Sequence, residues 1–227
     1  MRQLERGTDD QGVRATDRRD ALPFAGQLAL ELGARGQDVQ FDYLHATRYR
    51  GKTAVITGGT IVTDQAGFRG AVAVKDGRIL AVGGYADLAR DGLAEIDHRP
   101  HLIMPGFIDT HIHFPQVQVI ASWGAQLLDW LNTYTFPEEA RFAQQGHAPA
   151  MADAFLTLLT DHGTTTAVAF CSVHPQSAEA LFSAAHARNM AMVAGKVMMD
   201  RNAPPEVLDT PRQGYDDSKA LIESWHG

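Results

Sequence analysis

The chain has 227 residues, enough for one or two domains with a packed core. Its formal charge of −7 and pI near 5.7 argue against a nucleic-acid or anionic-membrane partner. A single cysteine, Cys171, excludes an internal disulfide and suits a reducing compartment, and no apolar run reaches the roughly 18 residues of a membrane span.

The stretch 1–51 mixes arginines with acids, and glycines and aspartates break any sustained period. It reads as a poorly ordered or artefactual extension. Arg18-Arg19 ahead of Ala21-Leu22-Pro23-Phe24 has the outline of a twin-arginine signal. Pro23, Gln27 and Glu31 interrupt the apolar part, so the expectation is a cytoplasmic protein. Residues 52–101 read as part of a small β-sandwich, with strands predicted over Thr53–Ile56, Thr60–Val62, Gly70–Val74 and Arg78–Val82. Asp76-Gly77 is the hairpin turn between the last two, because such turns demand positive φ.

From Leu102 onward, strands alternate with helices, the pattern of a parallel sheet. The first strand spans Leu102–His113 and ends in two histidines one residue apart. Side chains two apart share a strand face, so Phe107, Asp109, His111 and His113 project one way. Ile108, Thr110, Ile112 and Phe114 project the other way, toward covering helices. Two imidazoles at the C-terminal end of such a strand form half of a metal site, or else an ordinary polar strand end. Asp109 is either an acceptor that orients an imidazole or a buried hydrogen-bonding group.

Helices are predicted around Ala125–Tyr134, Pro137–Gln144 and Ala148–His162, then a second strand at Thr164–Phe170. Pro137 suits a first helical position, and Glu138 and Glu139 suit a first turn. A helix over Ser177–Arg188 leads to a third strand, Ala191–Met199, and Asp216–Trp225 is the last helix. The count is about three β/α units. A complete eight-fold barrel takes about 250 residues, so the expected fold class is α/β: an incomplete (β/α)8 TIM-like barrel over residues 102–227, preceded by the partial sandwich.

The segment Pro105-Gly106-Phe107-Ile108-Asp109-Thr110-His111-Ile112-His113 resembles the first barrel strand of the amidohydrolase superfamily. His113-Phe114-Pro115-Gln116, the block Leu127–Glu138, Gly163-Thr164-Thr165-Thr166-Ala167 and the block Gly195–Pro204 narrow the resemblance to the guanine deaminase family. It covers about Thr53 to the last residue. The resemblance implies zinc-dependent hydrolysis of guanine to xanthine and ammonia in purine breakdown, with one Zn2+ per active site. Bound Zn2+ lowers the pKa of water to about 7. It implies His111 and His113 as the first two metal ligands and Gln116 as a contact to the base. A glutamine amide offers both a donor and an acceptor to the mixed edge of a purine. The third histidine, the proton-shuttling glutamate and an aspartate ligand come from later family segments with no counterpart after His113. The resemblance therefore places the catalytic acid/base beyond Gly227 and none within this chain. The expectation is a truncated N-terminal part, inactive alone. The superfamily often forms homodimers. Rival readings are a non-catalytic fragment and an amidohydrolase acting on another heterocycle.

Other residues stay open. Trp130, Tyr134 and Phe136 can wall an aromatic pocket, or Trp130 and Tyr134 can pack a helix core at i, i+4 spacing. Core suits Tyr134 better. His174 either lines the site or caps the loop at Pro175. His147, His162 and His186 read as solvated or capping residues. Lys196, Met198 and Asp200 share a face of the third strand, so Lys196 is either a carbamylated bridge between two metals or the partner of Asp200. Cys171 lacks the histidine–acid pattern of a nucleophile.

Overall fold

The computed structural model describes residues 28–31, 41–43, 53–76, 78–88 and 93–226. It divides into two compact units, residues 1–105 and 106–227.

In the first unit the strands are β1 (Leu28–Glu31), β2 (Phe41–Tyr43), β3 (Thr53–Thr57), β4 (Thr60–Val62), β5 (Gly67–Arg69), β6 (Ala71–Lys75), β7 (Arg78–Gly83), β8 (Ala94–Asp97) and β9 (Leu102–Pro105). A short helix, α1 (Tyr85–Leu88), precedes β8. One sheet runs β2-β1-β9-β4-β5 and the other β7-β6-β3-β8. Ala54, Ile56, Val72 and Val74 of one sheet bury with Ile61 and Ile103 of the other. Side chains from two sheets interdigitating in one core make a small sandwich. At the β6–β7 hairpin Asp76 takes φ +51, as a tight primed turn requires; Gly77 lies outside the described residues. The stretch 1–51, set aside above as an extension, contributes β1 and β2, which pair in order onto β9. The remainder of that stretch, with the twin-arginine outline, lies outside the described residues.

The second unit holds a parallel sheet, β10 (Phe107–His113), β11 (Thr164–Phe170) and β12 (Ala191–Gly195), in that order. A 3-10 turn, Phe114–Val119, leaves β10. Then come α2 (Leu127–Trp130), a π-turn at Leu131–Thr135, α3 (Phe136–Ala140), α4 (His147–Asp161), α5 (Pro175–Ala187) and α6 (Pro211–Trp225). α4 carries Ala148, Ala152, Phe155, Leu156 and Leu159 at helical spacing, all buried. It stops at His162 because Gly163 takes φ +83, the left-handed stop of a helix. α5 stops in the same way at Asn189, φ +55. Thr210 caps α6 by accepting a hydrogen bond from the Gln213 N–H at 3.1 Å. Residues of α4 and α5, with Ala167 and Ala169 of β11, Phe114, Phe142 and Leu221, form one core.

Three stretches differ from the sequence expectation. The predicted strand Leu102–His113 is two strands: β9 belongs to the sandwich and β10 starts the parallel sheet. The break is Gly106, where a Cβ would stand 2.1 Å from Thr165 Cγ2, so the close approach of β11 requires glycine. The third strand ends at Gly195 rather than Met199, and α6 starts at Pro211, five residues ahead of the predicted start. Two short strands, β5 and β8, were not anticipated; β8 has no buried residue and gives no alternating signal.

Candidate active site

β11 alternates cleanly. Thr165, Ala167 and Ala169 are buried on the helix-covered side, which puts Thr164, Thr166, Val168 and Phe170 on the opposite face. Parallel pairing sets His113 beside Phe170 at the C-terminal ends of β10 and β11. His113 stacks on Phe170 with ring centroids 5.1 Å apart, and His111 lies 5.1 Å from the same ring. The two imidazoles meet edge to face at 5.4 Å. Phe170 thus braces both histidines, a role that strand alternation could have suggested once the β10–β11 register was known.

Burial, and then the proximity of His111, hold the His113 imidazole below the usual histidine range. A neutral ring keeps a lone pair free for a cation. Asp109 accepts a hydrogen bond from the His111 backbone N–H at 3.0 Å. It engages the strand backbone, and it is half-buried rather than the buried group of the second expectation. Among the described residues, no group of three or more histidine, cysteine, aspartate or glutamate side chains is placed to hold a metal ion.

An open cavity of about 810 Å3 runs past His111 and His113, with Gln116, Trp130, Leu158 and His162 also in its wall. Gln116 and Trp130 therefore share one cavity with both imidazoles. Trp130 lines the cavity, while Phe136 packs into a core with Val173 and Val207. Tyr134 is half-buried and does not line the cavity. Among the described residues Asp109 is the one carboxylate in the cavity wall, and the strand backbone engages it. Gly227, the residue beyond which the catalytic acid/base is expected, lies outside the described residues. That expectation therefore has no structural counterpart here.

The sequence reading missed the second layer. Glu138 and Glu139 stand in the first turn of α3, as expected, but both are buried. Gln116 Nε2 donates to Glu139 Oε1 at 3.3 Å. Burial raises the Glu139 carboxyl above its ordinary value, and the Gln116 bond opposes that in part. Arg141 donates to both Glu138 Oε2, at 2.6 Å, and Gln118 Oε1, at 2.7 Å. His147 is not solvated: it is buried, with Nε2 3.2 Å from Glu138 Oε1. His162 caps α4, its Nδ1 2.8 Å from the Leu158 carbonyl, and His186 is exposed.

His174 lies outside the cavity, and its backbone organises the start of α5: its N–H donates to Ser172 Oγ and its carbonyl accepts from Ser177 Oγ. Lys196 does not reach Asp200. Its Nζ donates to Asp209 Oδ2 at 2.5 Å, and Asp200 pairs with Arg201 instead. The reason is the early end of β12, which cancels the alternation that would have faced Lys196 toward Asp200. An ammonium fully buried in an ion pair is also unsuited to a carbamylated bridge. Cys171 is buried, and burial pushes its thiol up to about 12, so it is no nucleophile.

The amidohydrolase family pattern matches residues 102–225, more than half of the chain. The chain belongs to the amidohydrolase family. A bacterial imidazolonepropionase-like composite domain matches residues 70–91. This amidohydrolase chain is 55% identical to guanine deaminase of Escherichia coli over 130 residues, 57% of the chain and 30% of that relative. The crystal structure of guanine deaminase from Bradyrhizobium japonicum superposes with TM-score 0.72 at 39% identity, over 77% of the chain and 41% of that structure. Guanine deaminase from C. acetobutylicum with bound guanine in the active site superposes with TM-score 0.64 at 28% identity, over 76% of the chain and 43% of that structure. The amidohydrolase chain thus spans less than half the length of each.

Proposed function

We propose that this chain is the imidazole-bearing part of a zinc-dependent guanine deaminase, which hydrolyses guanine to xanthine and ammonia, and that residues 107–227 are the opening β/α units of its barrel. The observation that carries the reading is the convergence of His111, His113, Gln116 and Trp130 on one cavity. Identity of 55% to a guanine deaminase over 130 residues supports the substrate.

His111 and His113 would hold a divalent cation, for which two neighbouring nitrogen donors are the right chemistry. Such a cation supplies Lewis acidity and brings the pKa of water toward neutrality. Phe170 fixes the ring planes and shields them on one side. Gln116 hydrogen-bonds the purine edge, and the Trp130 indole offers a flat apolar wall. The remaining ligands and the proton-shuttling carboxyl belong, in this reading, to the part of the relatives that the match does not cover.

The test is a chimera in which residues 102–225 replace the matching segment of the Escherichia coli relative. Xanthine formation from guanine, lost in His111→Ala and His113→Ala, supports the proposal. A folded chimera that deaminates another heterocycle and leaves guanine untouched refutes it.

A further inference from the structure

Gln116 is a symmetric reader until something fixes its amide. A glutamine amide can turn either its carbonyl or its NH2 toward a ligand, at almost no difference in shape. In this structure one end is committed. Nε2 donates to Glu139 Oε1 at 3.3 Å, and Glu139 is buried. A carboxylate only accepts, so it selects the orientation with the NH2 toward α3. With Nε2 so engaged, Oε1 is the end left to face the cavity, which Gln116 lines together with the imidazoles.

The turn that carries Gln116 is tied down as well. Gln118, two residues on, accepts from Arg141, and Arg141 is held by the buried Glu138. Pro115 stiffens the same 3-10 turn, and the neighbouring Phe114 is buried in the core. The turn cannot slide to offer a different atom without breaking contacts at two points on α3 and its C-terminal end.

We propose that Glu139 is a positioning residue that sets the hydrogen-bond polarity of the cavity: it locks Gln116 so that the cavity presents an acceptor, and so admits heterocycles whose facing edge carries an N–H donor. This rests on the guanine reading and deepens it, because guanine carries a 2-amino donor that hypoxanthine lacks. One acceptor aligned with one extra donor is worth about a tenfold preference.

Two measurements on the full chain test the inference. The first needs no ligand. In 15N-edited NMR spectra the Gln116 side-chain protons of the wild type should show one downfield, slowly exchanging Hε. That signature should collapse in Glu139→Gln, whose own amide donates or accepts equally well. The second compares binding of guanine and hypoxanthine by isothermal titration calorimetry. The wild type should prefer guanine about tenfold, and Glu139→Gln should bring the two within about threefold of each other. A wild-type Gln116 amide with freely exchanging, unshifted protons overturns the inference, and this readout stands even if Glu139→Gln does not fold. A guanine preference unchanged in a folded Glu139→Gln also overturns it, while leaving the guanine reading intact. A locked amide in a chain that binds neither purine overturns the specificity assigned to Glu139 and leaves the guanine reading to the chimera.

Discussion

Replacing Asp209 with alanine should be the most damaging single change in residues 106–227. The Lys196 side chain is 0% exposed and that of Asp209 3% exposed, so neither charge is solvated. Asp209 Oδ2 accepts from Lys196 Nζ at 2.5 Å, and its Oδ1 accepts from the Met199 backbone N–H at 2.9 Å. One carboxylate thus ties the end of β12 to the segment that leads into α6. Removing it strands a buried ammonium, with Asp217 at 3.9 Å too far for a hydrogen bond. Breaking a buried pair from one side costs about 3–5 kcal/mol. With a urea m-value of about 2 kcal/mol/M, the midpoint should fall by about 2 M. The three tryptophans, Trp123, Trp130 and Trp225, all lie in this unit, so their fluorescence in urea reports on it alone. The double replacement Lys196→Met with Asp209→Leu should cost less than half as much, since no charge is left unpaired. A midpoint for Asp209→Ala within about 0.5 M of the wild type, about 1 kcal/mol on that slope, would refute the reasoning.

Gly106→Ala should destabilise the parallel unit by about 1–3 kcal/mol, because the new methyl enters Thr165; an unshifted urea midpoint would contradict that. Cys171 should resist thiol reagents in the native chain and react with one equivalent only on unfolding. Glu139 gives a pH dependence of stated sign. Its folded pKa is raised above the ordinary carboxyl value, so its favourable contribution is complete below the unfolded pKa, about 4.3, and fades as pH rises through the folded value. The stability of Glu139→Gln relative to wild type should therefore improve between pH 4 and pH 7. A constant difference across that range would show that the carboxyl is not shifted.

The alternation of strands and helices after Leu102, and the pairing of His111 with His113 on one strand, were legible because both are local periodicities. So was the run from Ala148 to Gly163, where apolar spacing and the terminal glycine agree. The break at Gly106 was written in Pro105-Gly106, yet the apolar run on either side masked it. What could not be read locally were contacts between residues far apart in sequence. Glu139 reads as a first-turn charge, which it is, but its bond to Gln116, 23 residues earlier, carries no local signal. Lys196 was matched to Asp200 by strand alternation, and only the end of β12 at Gly195 shows that Asp209 is its partner. Phe170 carried no signal of its own, since its role depends on which residue of β10 it pairs with.

The central claim is that the imidazoles of β10 form a cation site. Its most direct test is Zn2+ binding by the purified chain in competition with a chromophoric chelator. The account predicts about one equivalent, lost in His111→Ala and in His113→Ala and kept in the cavity-wall control His162→Ala. Absence of Zn2+ binding by a folded wild type, or binding that survives the double replacement of His111 and His113, would contradict it.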